Sequence, residues 1–341
     1  MSQVLYLGHP SSLEHDPGPH PERPARITAI ERELDREGWP GLDREDSSAA
    51  SRAQLEAVHR AAHVDSIERL SAQGGGTIDA DTATSAGSYR AALHAAGGAV
   101  ELAARLLSGE HERGISAHRP PGHHAEAGAA MGFCLFNNVA VAARDALDRG
   151  AAERVLILDW DIHHGNGTND IFHDSDQVLY VSIHGWPLYP GSGPFEDRGA
   201  GPGEGYTINL PVAHGTGDDV YASLVEHVVV PVAREYRPDL ILVSAGFDAH
   251  RADPLAAGAV TEMGFVAMTR SLHRLAAELG VGLGLVLEGG YDLGALAASV
   301  AVVLRELVKP PPDSGWEVAR HPAASAVRGR LAERWSALAR S

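Results

Sequence analysis

The stretch LDWDIHHGNGT, residues 158–168, follows the apolar run RVLIL and ends in a glycine-rich turn. It brings together four ionisable side chains, those of Asp159, Asp161, His163 and His164. A strand that merely meets solvent would account for one of them but not for all of them. The stretch therefore predicts a buried strand that ends in a functional site.

Runs of β-branched and aliphatic residues alternate with helix-like segments along the whole chain. Because these runs lack polar alternation, they fit strands buried on both faces of a parallel sheet, as in an α/β layer protein. The predicted strands are QVLYLG (3–8), RGISAHR (113–119), RVLILDW (154–160), QVLYVSI (177–183), GYTINLPV (205–212), PDLILVSAG (238–246) and VGLGLVLEGG (281–290). The predicted helices include NNVAVAARDALDRG (137–150), DDVYASLVEHVVVPVAREYR (218–237), which Pro231 should kink, and TEMGFVAMTRSLHRLAAELG (261–280).

One composition break, KPPPDSG at 309–315, divides the chain. We expect one domain over residues 1–308 and a C-terminal extension over residues 309–341, in which AASAVRGRLAERWSALAR (323–340) forms a helix. This helix would pack on the body or on a partner subunit, so the sequence is compatible with a homo-oligomer.

Bulk composition limits the classes of partner. The 341 residues carry 45 acidic and 28 basic side chains, a formal net charge of -17. This balance argues against nucleic-acid binding and suits cationic substrates. A single cysteine, Cys134, excludes an intrachain disulfide, the start MSQVLYLGHP does not read as a signal peptide, and the apolar run ALAASVAVVL is too short to cross a bilayer. We expect a cytoplasmic protein without membrane contact.

Polar clusters follow four of the apolar runs. They are HRPPGHH (118–124), DWDIHHGNG (159–167), GFDAHRADPL (246–255) and EGGYD (288–292). Ligands of open parallel sheets collect at the carboxyl ends of the strands, so these clusters should meet at one edge. They predict one active site.

A metal site is the first chemistry that these clusters allow. Asp161 and His163 are two residues apart and should project to the same side of an extended chain. A third ligand would complete a tetrahedral zinc with one open position for water. Asp253 is the best candidate for this ligand, Asp248 is its nearest rival, and His250 is a weaker one.

His123 and His124 are candidate acid–base residues, although adjacent histidines can also be ordinary loop residues. Beside a metal, one imidazole can deprotonate the reacting water and the other can be cationic near the leaving group. Asp159 and Asn166 are suited to orient their far ring nitrogens. Tyr291 follows the flexible Gly289 and Gly290 and could present its hydroxyl to a carbonyl oxygen.

Five motifs, RPPGHHA, MGFCLFNNVA, DWDIHHGNGT, SAGFDAHRADPL and LEGGYD, appear in this order and closely resemble the histone deacetylase family. The resemblance covers roughly residues 1–308, starting with HPERPARI at residues 20–27. It is greatest for class II enzymes and their bacterial relatives, which include acetylpolyamine amidohydrolases.

The resemblance implies the arginase–deacetylase fold, a three-layer α/β/α domain with a mostly parallel eight-stranded sheet. It implies one catalytic Zn²⁺ on Asp161, His163 and Asp253, in preference to Asp248. His123 and His124 would be the tandem pair, with Asp159 as the partner of His123. Tyr291 would polarise the substrate carbonyl.

The resemblance also implies further binding residues. A structural K⁺ would lie between Asp159, Ser182 and the backbone carbonyls of Asp161 and His163. The residues expected to contact substrate are Gly132 and Phe133 in the acyl-lysine tunnel, Tyr189 on the opposite wall, Arg26 at the foot of the acetate pocket, and Asp81, Val260, Gly289 and Gly290. Class I enzymes carry aspartate at the position of Asn166, so the pKa of His124 should be lower here.

We therefore expect a zinc amidohydrolase that removes an acyl group, most simply acetyl, from the ε-amine of lysine in a peptide or protein. The alternative substrate is an acetylated polyamine. Two further alternatives are a two-manganese ureohydrolase and a non-catalytic acyl-lysine binding module, which the full catalytic set makes less attractive.

The choice between peptide and polyamine depends on the tunnel entrance. Polyamine-preferring eukaryotic relatives carry a glutamate seven residues beyond the aspartate ligand. Counted from Asp253, this position is Val260, which cannot pair with an ammonium. Asp79 or Asp81 could instead hold a peptide backbone, so acetyl-lysine peptides are the expected substrates.

Overall fold

The computed structural model describes residues 4–312 and 317–339. Its centre is an eight-stranded sheet in which every neighbouring pair of strands is parallel. The strands are β1 (Val4–Gly8), β2 (Leu42–Asp46), β5 (Arg113–Ser116), β6 (Val155–Asp159), β7 (Val178–Gly185), β8 (Thr207–Val212), β9 (Leu240–Ala245) and β10 (Gly282–Leu287); β3 (Gly75–Thr77) and β4 (Ala83–Ser85) form a separate hairpin. The spatial order is β2-β1-β5-β10-β9-β6-β7-β8, which confirms the predicted parallel sheet.

The sequence reading missed β2 and the hairpin. Strand β2, with the sequence LDRED, lies at the edge of the sheet beside β1, and Leu42 is its one buried residue. An edge strand with one covered face does not need an apolar run, so hydrophobicity gives no signal there.

Two hydrophobic cores lie on opposite faces of the sheet. Alternate residues of a strand enter different cores: Val4 and Tyr6 pack on one side, and Leu5 and Leu7 on the other. The helices are α1 (Ala25–Glu37), α2 (Arg52–Glu56), α3 (Ala61–Ala72), α4 (Ser88–Leu107), α5 (Asn138–Asp148), α6 (Asn166–Ile171), α7 (Asp218–Leu224), α8 (Val230–Tyr236), α9 (Glu262–Leu279), α10 (Leu293–Val308) and α11 (Pro322–Leu331). Apolar surface on both faces explains why the strands show no polar alternation.

The predicted helix over residues 218–237 is divided in the structure. A π-helical turn, Val225–Val229, separates α7 from α8 just before Pro231. Proline lacks the N–H of a regular helix, and a π turn absorbs this defect without breaking the rod. The disturbance predicted at Pro231 therefore takes the form of a π-helical turn between two α-helices.

The C-terminal extension packs on the body. Helix α11 is shorter than predicted and is followed by a 3₁₀ turn, Ser336–Leu338. Trp335 between them is buried, and its indole N–H donates to the carbonyl of Gly205 at 3.2 Å. Residues 313–315 of the predicted break lie outside the described residues. Among the helices described, none combines the length and the apolar character that a bilayer span needs.

Candidate active site

Strand β6 delivers the first two candidate metal ligands. It ends at Asp159, and the chain then turns so that Asp161 Oδ1 accepts the backbone N–H of His163 at 2.9 Å. The other oxygen of Asp161 accepts the N–H of Gly289 at 2.9 Å. Both side chains therefore face one point beyond the strand, as the spacing predicted.

The third carboxylate at this point belongs to Asp248. Its Oδ2 lies 2.9 Å from His163 Nδ1, which is also 3.2 Å from Asp161 Oδ1. One ligand atom from each of the three residues lies within 4.8 Å of the other two. Asp248 is fully buried, and its Oδ1 accepts the N–H of Ile162 at 3.0 Å.

The structure therefore corrects the choice of Asp253 as third ligand. The carboxylate of Asp253 accepts the backbone N–H groups of Leu255 at 2.9 Å and of Tyr291 at 2.7 Å. It caps the turn that carries the tyrosine and does not belong to the ligand group. His250 is not a ligand either, because its Nε2 faces the carboxylate of Glu262 at 3.5 Å.

The donor set fits a zinc ion. Two carboxylates and one imidazole are ordinary zinc ligands, and three protein ligands leave one position open. Burial lowers the pKa of His163, but the charges of Asp248 and Asp161 outweigh it and raise this pKa to about 10. Buried carboxylates this close together need a cation, and His163 Nδ1 lies where a metal would take its proton's place.

Asp159 orients the first histidine of the tandem pair. Its Oδ2 lies 3.0 Å from His123 Nδ1 and 3.1 Å from the hydroxyl of Tyr180. His123 Nε2 is thereby turned toward Asp161, 3.8 Å from Oδ1. Burial lowers the pKa of His123, but Asp161 and Asp159 reverse the effect and hold it well above its usual value.

His124 has a different environment. Its Nδ1 lies 2.8 Å from Asn166 Oδ1, while Asn166 Nδ2 donates to Glu126 Oε1 at 3.0 Å. This orientation of the amide makes His124 Nδ1 the protonated nitrogen and leaves Nε2 free to accept. Burial and the charge of His123 hold the pKa of His124 well below its usual value. Glu126 was not predicted from the sequence, because a single glutamate in a polar loop gives no sign that it accepts a hydrogen bond from Asn166.

Aromatic rings form the walls beside these groups. The Phe133 ring lies 5.6 Å from that of Tyr291, and the Tyr189 ring lies 5.1 Å from that of His124, each nearly perpendicular to its neighbour. Gly132 and Phe133 have φ values of +55° and +69°. A Cβ atom at Gly132 would collide with the His124 ring, so the loop can approach the histidine only with glycine there.

Arg26 lies behind Tyr291 and is completely buried. Its Nε donates to the carbonyl of Gly290 at 2.7 Å, and its Nη2 donates to the carbonyl of Glu288 at 2.5 Å. The guanidinium carbon is 5.0 Å from the centre of the Tyr291 ring. Arg26 thus braces the Gly289–Gly290 turn from below, at the expected foot of the pocket.

The two residues predicted at the rim, Asp81 and Val260, lie in different environments. Asp81 lies beside the wall, because the hydroxyl of its neighbour Thr82 accepts the backbone N–H of Phe133 at 3.1 Å. Val260, by contrast, is completely buried in the hydrophobic core and cannot touch a substrate. Its predicted place at the rim was wrong, because the seven residues were counted from Asp253 and not from Asp248.

The potassium site stays a prediction. Asp159 and Ser182 are register partners on β6 and β7, so they do lie side by side. The Ser182 hydroxyl is 2.9 Å from His184 Nδ1. The Nδ1 atom of His164 is 2.8 Å from the hydroxyl of Ser192, and its ring lies 4.7 Å from that of His184.

Several known proteins resemble this chain in sequence and in fold. The family model described as the histone deacetylase domain matches residues 20–307. Histone deacetylase 15 of Arabidopsis thaliana is 40% identical over 93% of this chain and 58% of its own length, and a probable deacetylase of Archaeoglobus fulgidus is 42% identical over 84% of this chain and 81% of its own. A crystal structure of the HDA15 HD domain superposes with a TM-score of 0.91 at 38% identity, covering 99% of this chain and 97% of that one.

The chain therefore spans little more than half of the plant relative but most of the archaeal one. The solved structure also confirms the arginase–deacetylase fold that the motifs implied. From the matched domain, the ordered motifs and the shared fold, we conclude that this chain belongs to the histone deacetylase family.

Proposed function

We propose that the protein is a zinc-dependent deacetylase that hydrolyses the acetyl amide of lysine side chains. The observation that carries the proposal is the group formed by Asp161, His163 and Asp248, which lies directly beside the tandem histidines. When bound there, zinc would supply a Lewis acid that polarises the amide carbonyl and activates water.

The tandem histidines accept a proton from water and supply one to the departing amine. Asp159 holds Nδ1 of His123, so Nε2 is the nitrogen that can take a proton from the attacking water. The positive charge of a bound metal would lower the pKa of His123, so that the ring would be neutral before it accepts the proton. The carboxylates of Asp159 and Asp161 then stabilise the resulting cation. His124 is favoured as a neutral ring that keeps its proton on the Asn166 side. The departing amine receives its proton from this pair.

Tyr291 stabilises the charge that develops on the carbonyl oxygen. Burial and nearby carboxylates, opposed by Arg26, raise the pKa of Tyr291 well above its usual value, so the phenol stays protonated and can donate. A donor held ready in a buried site stabilises an oxyanion without reorganisation. Asp253 and Arg26 hold the turn that aims it.

A lysine peptide fits the entrance better than a polyamine. Counted from Asp248, the position at which polyamine-preferring relatives carry glutamate is Leu255, which is 38% exposed. Leu255 donates its N–H to the same carboxylate that holds Tyr291, so it lies at the mouth near the tyrosine. A leucine cannot pair with a secondary ammonium. Asp79 and Asp81 keep a negative charge near the entrance, although one oxygen of each already accepts hydrogen bonds within their own turn.

The test is turnover by the purified protein of an acetyl-lysine peptide and of acetylspermidine, with and without a chelator. We expect faster hydrolysis of the peptide, loss of activity with chelator, and recovery on adding Zn²⁺. Activity that survives complete metal removal would overturn the zinc assignment. A larger kcat/KM for acetylspermidine would overturn the lysine assignment and favour the polyamine.

A further inference from the structure

Glu288, at the end of β10, places a carboxylate under the tandem histidines. Its Oε2 accepts two consecutive backbone N–H groups, that of Gly122 at 2.6 Å and that of His123 at 3.1 Å. The residue is completely buried. Its other oxygen lies 3.3 Å from the hydroxyl of Ser244 on β9.

The same residue is fixed at its backbone. The N–H of Glu288 donates to the carbonyl of Ala245 at 3.1 Å, and its carbonyl accepts from Arg26. Tyr291 follows three residues later, after the Gly289–Gly290 turn. One residue therefore links the loop that carries His123 to the turn that carries Tyr291.

We propose that Glu288 is a positioning residue that fixes the spacing between His123 and Tyr291. This inference rests on the proposed function, because the two groups must act on the same amide. The side chain acts through the position of its acceptor oxygen. This oxygen accepts the backbone N–H of His123 and so fixes the backbone position from which the imidazole side chain extends. Without this acceptor, two buried N–H groups would lose their partner and the loop would shift.

The chemistry of the site favours hydrogen bonding over charge as the reason for glutamate. Burial raises the pKa of Glu288 to about 7, although the charge of His123 and the backbone hydrogen bonds oppose this. Burial thus outweighs the groups around Glu288 that stabilise a carboxylate anion. A neutral acceptor of the same length would satisfy the same two N–H groups.

Two conservative variants separate these roles. Glu288→Gln keeps the length and an acceptor oxygen but removes the charge, whereas Glu288→Asp keeps the charge but withdraws the carboxyl group by one methylene. With an acetyl-lysine peptide, we expect Glu288→Gln to keep kcat within about threefold. We expect Glu288→Asp to lose kcat by roughly 10²-fold, as for a misplacement of about 1 Å, with KM within about threefold.

The controls are metal content and Glu306→Gln, a change in a buried glutamate that pairs with Arg270 on α9, remote from the histidines. Glu306→Gln should lower the thermal midpoint and leave kcat unchanged. Wild-type activity in both Glu288 variants would overturn the inference. An inactive Glu288→Gln with an active Glu288→Asp would also overturn it, because this result assigns the role to charge. Equal losses in both variants would overturn it as well, because they assign the role to folding. An inactive wild-type protein would instead refute the proposed function.

Discussion

The backbone N–H of Tyr291 donates to Asp253 Oδ2 at 2.7 Å, which makes this aspartate a support for the tyrosine. Its neighbour in the same loop, Asp248, faces His163. Two aspartates five residues apart therefore serve the same reaction in different ways, and substitution should separate them.

Asp248→Ala should abolish metal binding, because it removes one of three protein ligands and leaves His163 beside a single carboxylate. Asp253→Ala should retain the metal and lower kcat by roughly 10-fold to 10²-fold through a displaced Tyr291. The measurement is metal content by mass spectrometry beside peptide turnover. Loss of zinc in Asp253→Ala with retention in Asp248→Ala would restore the original assignment from the sequence.

Tyr291→Phe should lower kcat by roughly 10²–10³-fold, because it removes one donor to the oxyanion and keeps the ring. The ring packing against Phe133 and Arg26 is preserved, so zinc content and thermal midpoint should match the wild type. Undiminished turnover would show that the hydroxyl takes no part.

Asn166→Asp should raise the pKa of His124, because it puts a carboxylate 2.8 Å from Nδ1 in place of an amide oxygen. One limb of the profile of kcat/KM against pH should move to higher pH. Glu126 lies beside the new acid, so Asn166→Asp/Glu126→Gln should separate its contribution from that of Glu126. If neither variant moves the profile, His124 does not titrate in the reaction.

Leu255→Glu should shift the ratio of kcat/KM values toward acetylspermidine, because a carboxylate at the mouth attracts the distant ammonium. Leu255→Gln is the matched control and should leave the ratio close to the wild type. Val260→Glu, the change that the first count suggested, should destabilise the protein instead, since it buries a charge in the core. Equal ratios in the glutamate and glutamine variants would place Leu255 away from the substrate.

His118 should make the protein less stable in mild acid. Burial, with the charges of His94 and His9, lowers its pKa to about 3, so the unfolded chain binds the proton more readily between pH 6.5 and 3. Its stabilising effect is therefore complete above about pH 6.5 and declines as the pH falls. From pH 7 to pH 5, the free energy of unfolding should fall by about 2 kcal/mol more in the wild type than in His118→Gln. Parallel pH curves for the two proteins would contradict the buried neutral ring.

The parts of the site that could be predicted lie close together in the chain. Asp161 and His163 follow one strand, so their spacing alone brings them together. The parallel sheet could also be predicted, because both of its faces are apolar and the predicted strands are therefore apolar runs without polar alternation.

The parts that could not be predicted depend on which way a loop turns. Asp248 and Asp253 share one irregular segment, and sequence spacing does not show which carboxylate faces inward. Glu288 and Glu126 act through backbone and amide groups, which have no signature in residue type. The edge strand β2 is polar, so no hydrophobic pattern could reveal it.

The left-handed backbone at Phe133 limits how evolution or a mutational library could reshape the acyl pocket. A β-branched residue is strained at a φ of +69°, whereas asparagine and glycine adopt this region readily. Selection for bulkier or smaller acyl groups should therefore return asparagine, aspartate, histidine or glycine at this position, and seldom valine or isoleucine. The backbone, before any contact with substrate, decides which side chains are available opposite Tyr291.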